Sequence, residues 1–226
     1  MAERSNSKIK NGKKKILVID DHPIVRQGLA RLISQEEDML FAGEAGDASE
    51  GLDQVNALKP DAVVVDISLK GTSGIELIKT ILNYHPHIPI LVVSMHEEML
   101  YVERALRAGA KGYLMKQEAT DHVIAALRKI LGGEVYVSDK IKDSLMHKFL
   151  FKSNSQTGNH SPEGLSDREL EVLQLIGQGY ATRQIAEELH VSMKTIESHY
   201  ANIKMKLDLK NSHELIQYAV KWSLSK

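Results

Sequence analysis

A chain of 226 residues with 42% hydrophobic and 26% charged residues has room for two small soluble domains. The absence of cysteine excludes disulfides, thiol chemistry and cysteine-held zinc, and no apolar run approaches the roughly 18 residues that span a bilayer, so a cytoplasmic protein with no membrane partner is expected. The net charge of −1 is unevenly spread: 14 Lys+Arg against 20 Asp+Glu over 16–150 (net −6), six against one over 1–15 (net +5), and eight against nine from 161 onward (net −1).

Residues 1–14 are polar and basic without an apolar core, which predicts a disordered basic tail and not a secretory signal. Apolar runs then alternate with helix-period segments. The runs are KILVI (15–19), MLFAGEA (39–45), AVVVD (62–66), IPILVVS (88–94) and KGYLM (111–115); the helical patterns cover 23–34, 48–57, 74–84, 97–108 and 119–131. Short Val/Ile/Leu runs separated by helices indicate βαβ units buried on both faces. The expectation over 15–133 is therefore an α/β doubly wound five-stranded parallel sheet. Gly132 and Gly133 suit the end of its last helix. Residues 134–164 read as a linker: Ser138 in position to cap a helix over 139–149, then a stretch rich in Ser, Asn, Gly and Gln. Helical patterns over 167–177, 181–189, 192–207 and 211–222 predict a small all-α four-helix domain at 165–226.

The chemistry-bearing residues fall in register. Asp20 and Asp21 end the first run, Asp66 the third and Ser94 the fourth, and Lys116 follows the fifth, so all lie on the carboxyl-end rim where a doubly wound sheet binds ligands. Three carboxylates brought together repel one another and rise in pKa unless a cation joins them. Mg²⁺ suits such oxygen donors, an aspartate can attack phosphorus to form an acyl phosphate, and a lysine and a hydroxyl can hold phosphoryl oxygens. Any one of these residues alone would read as an ordinary surface group; the joint register carries the inference. His22, beside the acids, is read as a metal ligand or simply as the residue before Pro23 that starts the first helix.

In the C-terminal domain, Ser166 and Glu169 form a capping-box pattern, and a short helix, the turn His190-Val191-Ser192 and a long helix capped by Ser192 have helix-turn-helix spacing. At 100° per residue, Ile196, Tyr200, Ile203 and Leu207 share a core face of the long helix. Lys194, Glu197, Ser198, Ala201 and Met205 lie opposite, a mixture suited to base edges and thymine methyls. Thr195, Asn202 and Lys206 flank them, in reach of phosphates. With a near-neutral reader, one copy would bind double-stranded DNA weakly, and two copies on adjacent half-sites would supply the affinity. Val220, Leu215 and Trp222 on the last helix are candidates for that contact, or for the domain's own core.

Residues 15–131 resemble the receiver domain of two-component response regulators, a flavodoxin-like, CheY-like fold, through VIDDHPIVRQGL (18–29), VVVDISLKGTSGIELI (63–78), VSMHE (93–97) and RALRAGAKGYLMK (104–116). Residues 165–207, LSDRELEVLQLIGQGYATRQIAEELHVSMKTIESHYANIKMKL, resemble the LuxR-type helix-turn-helix, and the combination resembles the NarL/FixJ family. The resemblance implies Asp66 as phosphoacceptor for a sensor histidine kinase. It implies Mg²⁺ held by Asp21 and Asp66, by Asp20 through water and by the carbonyl of Ser68, with Ser94 and Lys116 on the phosphoryl group. It makes Tyr113 an aromatic that rotates inward when Ser94 moves, and phosphorylation a signal that releases or dimerises a transcription-regulating domain on its operator. Leu69-Lys70 departs from the family's usual Met-Pro, and Ser68 and His96 stand where side chains gate water. Two other readings remain: a haloacid-dehalogenase-like phosphatase, which would want Asp-x-Asp where this chain has Asp20-Asp21-His22, and a protein-interaction module that never meets DNA.

Overall fold

The computed structural model describes residues 12–95, 99–139, 141–144, 146 and 161–224. The N-terminal domain follows β1 (Lys14–Ile19), α1 (Pro23–Ser34), β2 (Met39–Ala45), α2 (Ala48–Leu58), β3 (Ala62–Val65), α3 (Gly74–Tyr84), β4 (Ile90–Ser94), α4 (Met99–Arg107), β5 (Gly112–Met115) and α5 (Ala119–Leu131), and ends on β6 (Tyr136–Val137). The sheet runs β2-β1-β3-β4-β5-β6, parallel at every pairing. Strand order reverses at β1 and β3, so the crevice opens at their carboxyl ends.

Successive strand residues point to opposite faces. Leu17, Ile19, Val63, Val65, Ile90 and Val92 meet the layer that includes α3 and α4, whereas Ile16, Val18, Val64, Leu91, Val93 and Leu114 meet α1 and α5. Each such fully buried aliphatic side chain contributes roughly 1.5–3 kcal/mol, which fixes the rim that carries the acids.

The sheet has six strands where five were expected. Tyr136 and Val137 pair with Gly112 and Tyr113. Gly133, at φ +85°, reverses the chain after α5, and two residues are too short to show a strand period. Expectations for 1–11, for His96, for 147–149 and for the linker 152–160 lie outside the described residues. Asp139, 141–144 and Met146 are helical, and Ser161 accepts from Glu163 N–H to open a 3₁₀ turn, Pro162–Gly164.

The C-terminal domain comprises α6 (Asp167–Gly177), α7 (Thr182–Glu188), α8 (Met193–Lys206) and α9 (Ser212–Leu224). The expected capping box forms, with Ser166 and Glu169 exchanging side-chain and backbone bonds. Val172, Leu173, Ile176, Ile185, Ile196 and Ile203 build its core. A Cβ on Gly177 would come within 2.6 Å of the Ala219 carbonyl, so glycine there lets α6 and α9 touch. The two domains are docked. Leu170 of α6 is fully buried within the apolar layer under α3 and α4, and Trp222 packs against both cores.

Candidate functional site

The segments after β1 and β3 deliver the acidic cluster, and the one after β5 delivers its lysine. Lys116 Nζ, just after β5, lies 2.6 Å from Asp66 Oδ2 and 2.8 Å from Asp20 Oδ2. Asp20 and Asp66 are buried to within 2% of full exclusion, and Asp21 is half-buried. One ligand atom each from Asp20, Asp21, His22 and Asp66 lies within 4.8 Å of the others. Ser68 donates its N–H to Asp66 Oδ1 at 3.3 Å, and its residue lines the cavity above the acids. Ser94 is fully buried at the end of β4. Tyr113, expected to rotate when Ser94 moves, is fully buried in the apolar layer.

His22, read from the sequence as a metal ligand or as the start of the first helix, holds the N-cap position of α1 and places Nδ1 2.6 Å from Asp21 Oδ1 and 3.2 Å from Asp20 Oδ1, inside the cluster. One contributor escaped the sequence reading. Gly74 starts α3 where a Cβ would come within 1.9 Å of the Asp66 carbonyl; only glycine lets this helix approach the aspartate backbone so closely. The Gly in GTSGIEL was the available signal. Leu69, where the family usually has Met, is buried beside the site, and Lys70 is exposed.

The charge of the cluster is incomplete. Burial lifts Asp66 to about pKa 7; Lys116 pulls down and Asp20 pushes up. Burial also works against the Lys116 ammonium, but Asp66 and Asp20 outweigh it and raise its pKa. One ammonium therefore does not offset three carboxylates. Asp21 Oδ1 is buried, with the His22 ring nitrogen 2.6 Å away. Hard oxygen donors within 4.8 Å of one another and an excess of carboxylates over cations together fit a divalent cation such as Mg²⁺.

The reader helix α8 divides as the period predicted. Ile196, Ile203 and Leu207 are fully buried and Tyr200 packs against them, whereas Lys194, Glu197, Ser198, Ala201, Asn202 and Met205 are exposed. Ser192 caps the helix through Thr195 N–H, which leaves Thr195 half-buried. Lys206, expected to flank the reader face, pairs with Glu169 Oε2 at 2.6 Å. Of the candidates on the last helix, Leu215 takes the alternative of the domain's own core, and Trp222 packs against both cores. The apolar residues that α9 does expose are Ile216, Val220 and Leu224.

A doubly wound sheet with this acidic rim, joined to a helix-turn-helix, defines a DNA-binding response regulator of two-component systems, and the chain belongs to that class, in its NarL/FixJ branch. The model for response regulator receiver domains matches residues 16–128, and that for bacterial regulatory proteins of the luxR family matches 163–219. The chain is 39% identical over 213 residues to oxygen regulatory protein NreC of Staphylococcus aureus, covering 93% of this chain and 98% of that one. It is similar to a structure of RcsB from Salmonella enterica serovar Typhimurium bound to promoter rprA in the presence of the phosphomimetic BeF₃⁻ (TM-score 0.60, 28% identity, 92% of this chain and 99% of that one). It is also similar to a LuxR-family two-component response regulator from Aurantimonas sp. SI85-9A1 (TM-score 0.59, 32% identity, 62% and 99%). Among the described residues no helix is long and apolar enough to cross a membrane.

Proposed function

We propose that this response regulator accepts its phosphoryl group on Asp66 and, once phosphorylated, binds promoter DNA as a homodimer. The observation that carries the reading is the convergence of Asp20, Asp21 and Asp66 at the carboxyl rim, with the ammonium of Lys116 paired to Asp20 and Asp66. In the reaction a carboxylate oxygen of Asp66 attacks phosphorus. The bond to the donor breaks, whether P–N of a kinase phosphohistidine or P–O of acetyl phosphate, and the donor leaves with the electron pair. Lys116 and the Ser94 hydroxyl hold the phosphoryl oxygens. Asp21, Asp66, the Ser68 carbonyl and, through water, Asp20 would hold Mg²⁺, which supplies charge neutralisation for the transferred group.

On the DNA side, Lys194, Thr195 and Asn202 meet phosphates, and Glu197, Ser198, Ala201 and Met205 face base edges in the major groove. Lys206 joins only by leaving Glu169. Ile216, Val220 and Leu224, spaced four apart on α9, are the apolar stripe for a second copy on the adjacent half-site. The partners are then a sensor histidine kinase and operator DNA, both consistent with a cytoplasmic regulator that is not an enzyme turning over a substrate. A phosphatase reading lacks its Asp-x-Asp, since Asp20-Asp21-His22 follows β1.

The test is incubation with acetyl phosphate and Mg²⁺ followed by operator binding. Wild type should acquire an acid-stable, base-labile phosphoryl group and bind more tightly; Asp66→Asn should do neither. An Asp66→Asn protein that responds as wild type does sinks the reading.

A further inference from the structure

All the sulfur of this chain is thioether: it has eight methionines and no cysteine. Among the described residues, Met39 and Met115 are buried in the receiver core and Met99 packs against it. Met95, Met146, Met193 and Met205 are exposed. Two of these four stand on one helix, α8, and Met205, at 73% of full exposure, is the most open of them. At 100° per residue Met205 lies about 20° round the helix from Ser198 and about 40° from Ala201, inside the outward face. Met193 lies about 40° from Glu197 on the same side, and about 18 Å of helix axis separates it from Met205. One thioether therefore stands at each end of the reading face.

Packing does not account for either residue, since neither belongs to the core of the helical domain. Their neighbours reach outward very little. Ser198 turns its hydroxyl back to donate to the Lys194 carbonyl at 3.0 Å, and Ala201 ends at Cβ. Met193 and Met205 are then the long apolar side chains of this face. An unbranched thioether adapts its shape to apolar features such as a thymine methyl. The same sulfur is open to a hydroperoxide. Its lone pair attacks one peroxide oxygen, and the S–O bond forms as the O–O bond breaks. The transferred oxygen gives up its proton to the departing hydroxide, which leaves as water; sulfur is oxidised by two electrons and the peroxide is reduced by two. The sulfoxide is polar, with partial negative charge on its oxygen, so it loses the apolar contact and faces the phosphates unfavourably. No thiol in the chain competes for the oxidant.

We propose that Met205, with Met193 as the less exposed second target, is a site of reversible oxidation by hydroperoxides, and that its sulfoxide weakens DNA binding. The proposal rests on the outward face of α8 meeting DNA. It gives the regulator an input that acts on the reader itself and needs no event at the acidic rim. The fold of the domain is unaffected, because both side chains lie outside its core. Methionine sulfoxide reductases, one for each sulfoxide epimer, reverse the modification.

The test uses full-length protein, hydrogen peroxide and a duplex that the unoxidised protein has selected from a random-sequence pool. Peptide mapping by mass should find the added oxygen on Met205 first, on Met193, Met95 and Met146 more slowly, and on Met39 and Met115 only after unfolding. Affinity for the selected duplex should fall about fivefold or more, the size of one lost base contact, with the thermal midpoint unchanged. The fall should be the same with and without acetyl phosphate and Mg²⁺, and the two reductases together should restore binding. In Met205→Leu the ratio of affinities before and after peroxide should approach one, whatever the starting affinity. Met95→Leu/Met146→Leu should keep the full response. A Met205→Leu protein that loses affinity as wild type does overturns the assignment, and so does a Met205 that is oxidised while binding stays unchanged. Failure of the unoxidised protein to select any duplex overturns the DNA reading beneath it instead.

Discussion

The acidic rim and the reader helix are both polar sites on apolar scaffolds, but they obtain their energetics differently. The rim is internal: Asp20 and Asp66 are excluded from water, and their charges are answered by one lysine. The face of α8 is external, with Lys194, Glu197 and Ser198 in solvent. A buried charge cluster is a stability problem that the protein must solve before any ligand arrives. An exposed face costs the fold almost nothing and acquires meaning only from its partner. The same kind of substitution should therefore have opposite signatures in the two places.

The largest effect tests the rim. Lys116→Met leaves two buried carboxylates without their cation, and breaking a buried pair from one side costs about 3–5 kcal/mol. Urea unfolding near pH 8 without Mg²⁺ should show that loss, with partial recovery when Mg²⁺ is added. An unchanged midpoint means that Lys116 is not the internal counter-ion and the contrast with α8 collapses.

Next comes the inward face of the reader itself. Ile203 is fully buried in the helical core, and Ile203→Ala should cost about 2–5 kcal/mol. Ala201→Ser, on the exposed face two residues away, should leave thermal unfolding within about 0.5 kcal/mol of wild type. If both substitutions destabilise alike, the outward face is not free for DNA.

Much of this was legible because both patterns are periodic. Strand-end register placed Asp20, Asp66, Ser94 and Lys116 on one rim, and the 100° period separated Ile203 from Ala201 on α8. What escaped depends on distances that no period encodes. The two residues of β6 are too few to show alternation. Gly74 is required by a carbonyl that the sequence does not reveal as close. Leu215, Lys206 and Leu170 mark the harder limit. An apolar or charged residue on a helix has several faces available, and which neighbour occupies each is decided by packing of the whole domain, or of two domains.

A smaller effect distinguishes the two sites by pH. Asp66 is lifted from 3.8 to about 7 and Glu171 from 4.5 to about 7, both chiefly by burial. The folded, docked protein therefore binds these protons more tightly than the unfolded chain. The stabilising contribution is complete below the ordinary carboxylate values and is lost as pH rises through about 7. With chelator present, stability should fall by on the order of 1–3 kcal/mol between about pH 6 and about pH 8. Mg²⁺ should flatten the part due to Asp66 and leave that due to Glu171, which Glu171→Gln removes. A flat profile with chelator would place water in the rim, making it as exposed as the reader.

The smallest effect belongs to the exposed face. Lys194 makes no ion pair among those found in the described residues and stands in the first turn of α8. Lys194→Ala should leave folding unaltered, weaken binding to every duplex alike by a factor of a few, and reduce the magnitude of the salt slope by about one per dimeric half-site. Glu197→Ala should do something different in kind. A carboxylate repels the phosphate backbone, so its removal raises affinity for random duplex. If Glu197 accepts from a cytosine amine, removal also relaxes preference at one base pair by about 1–3 kcal/mol. A titration of both variants against operator and random DNA at two salt concentrations separates the roles. A Glu197→Ala protein that gains equally on both DNAs reads no base there, and specificity must then come from Ser198, Ala201, Met205 and the spacing of the two copies.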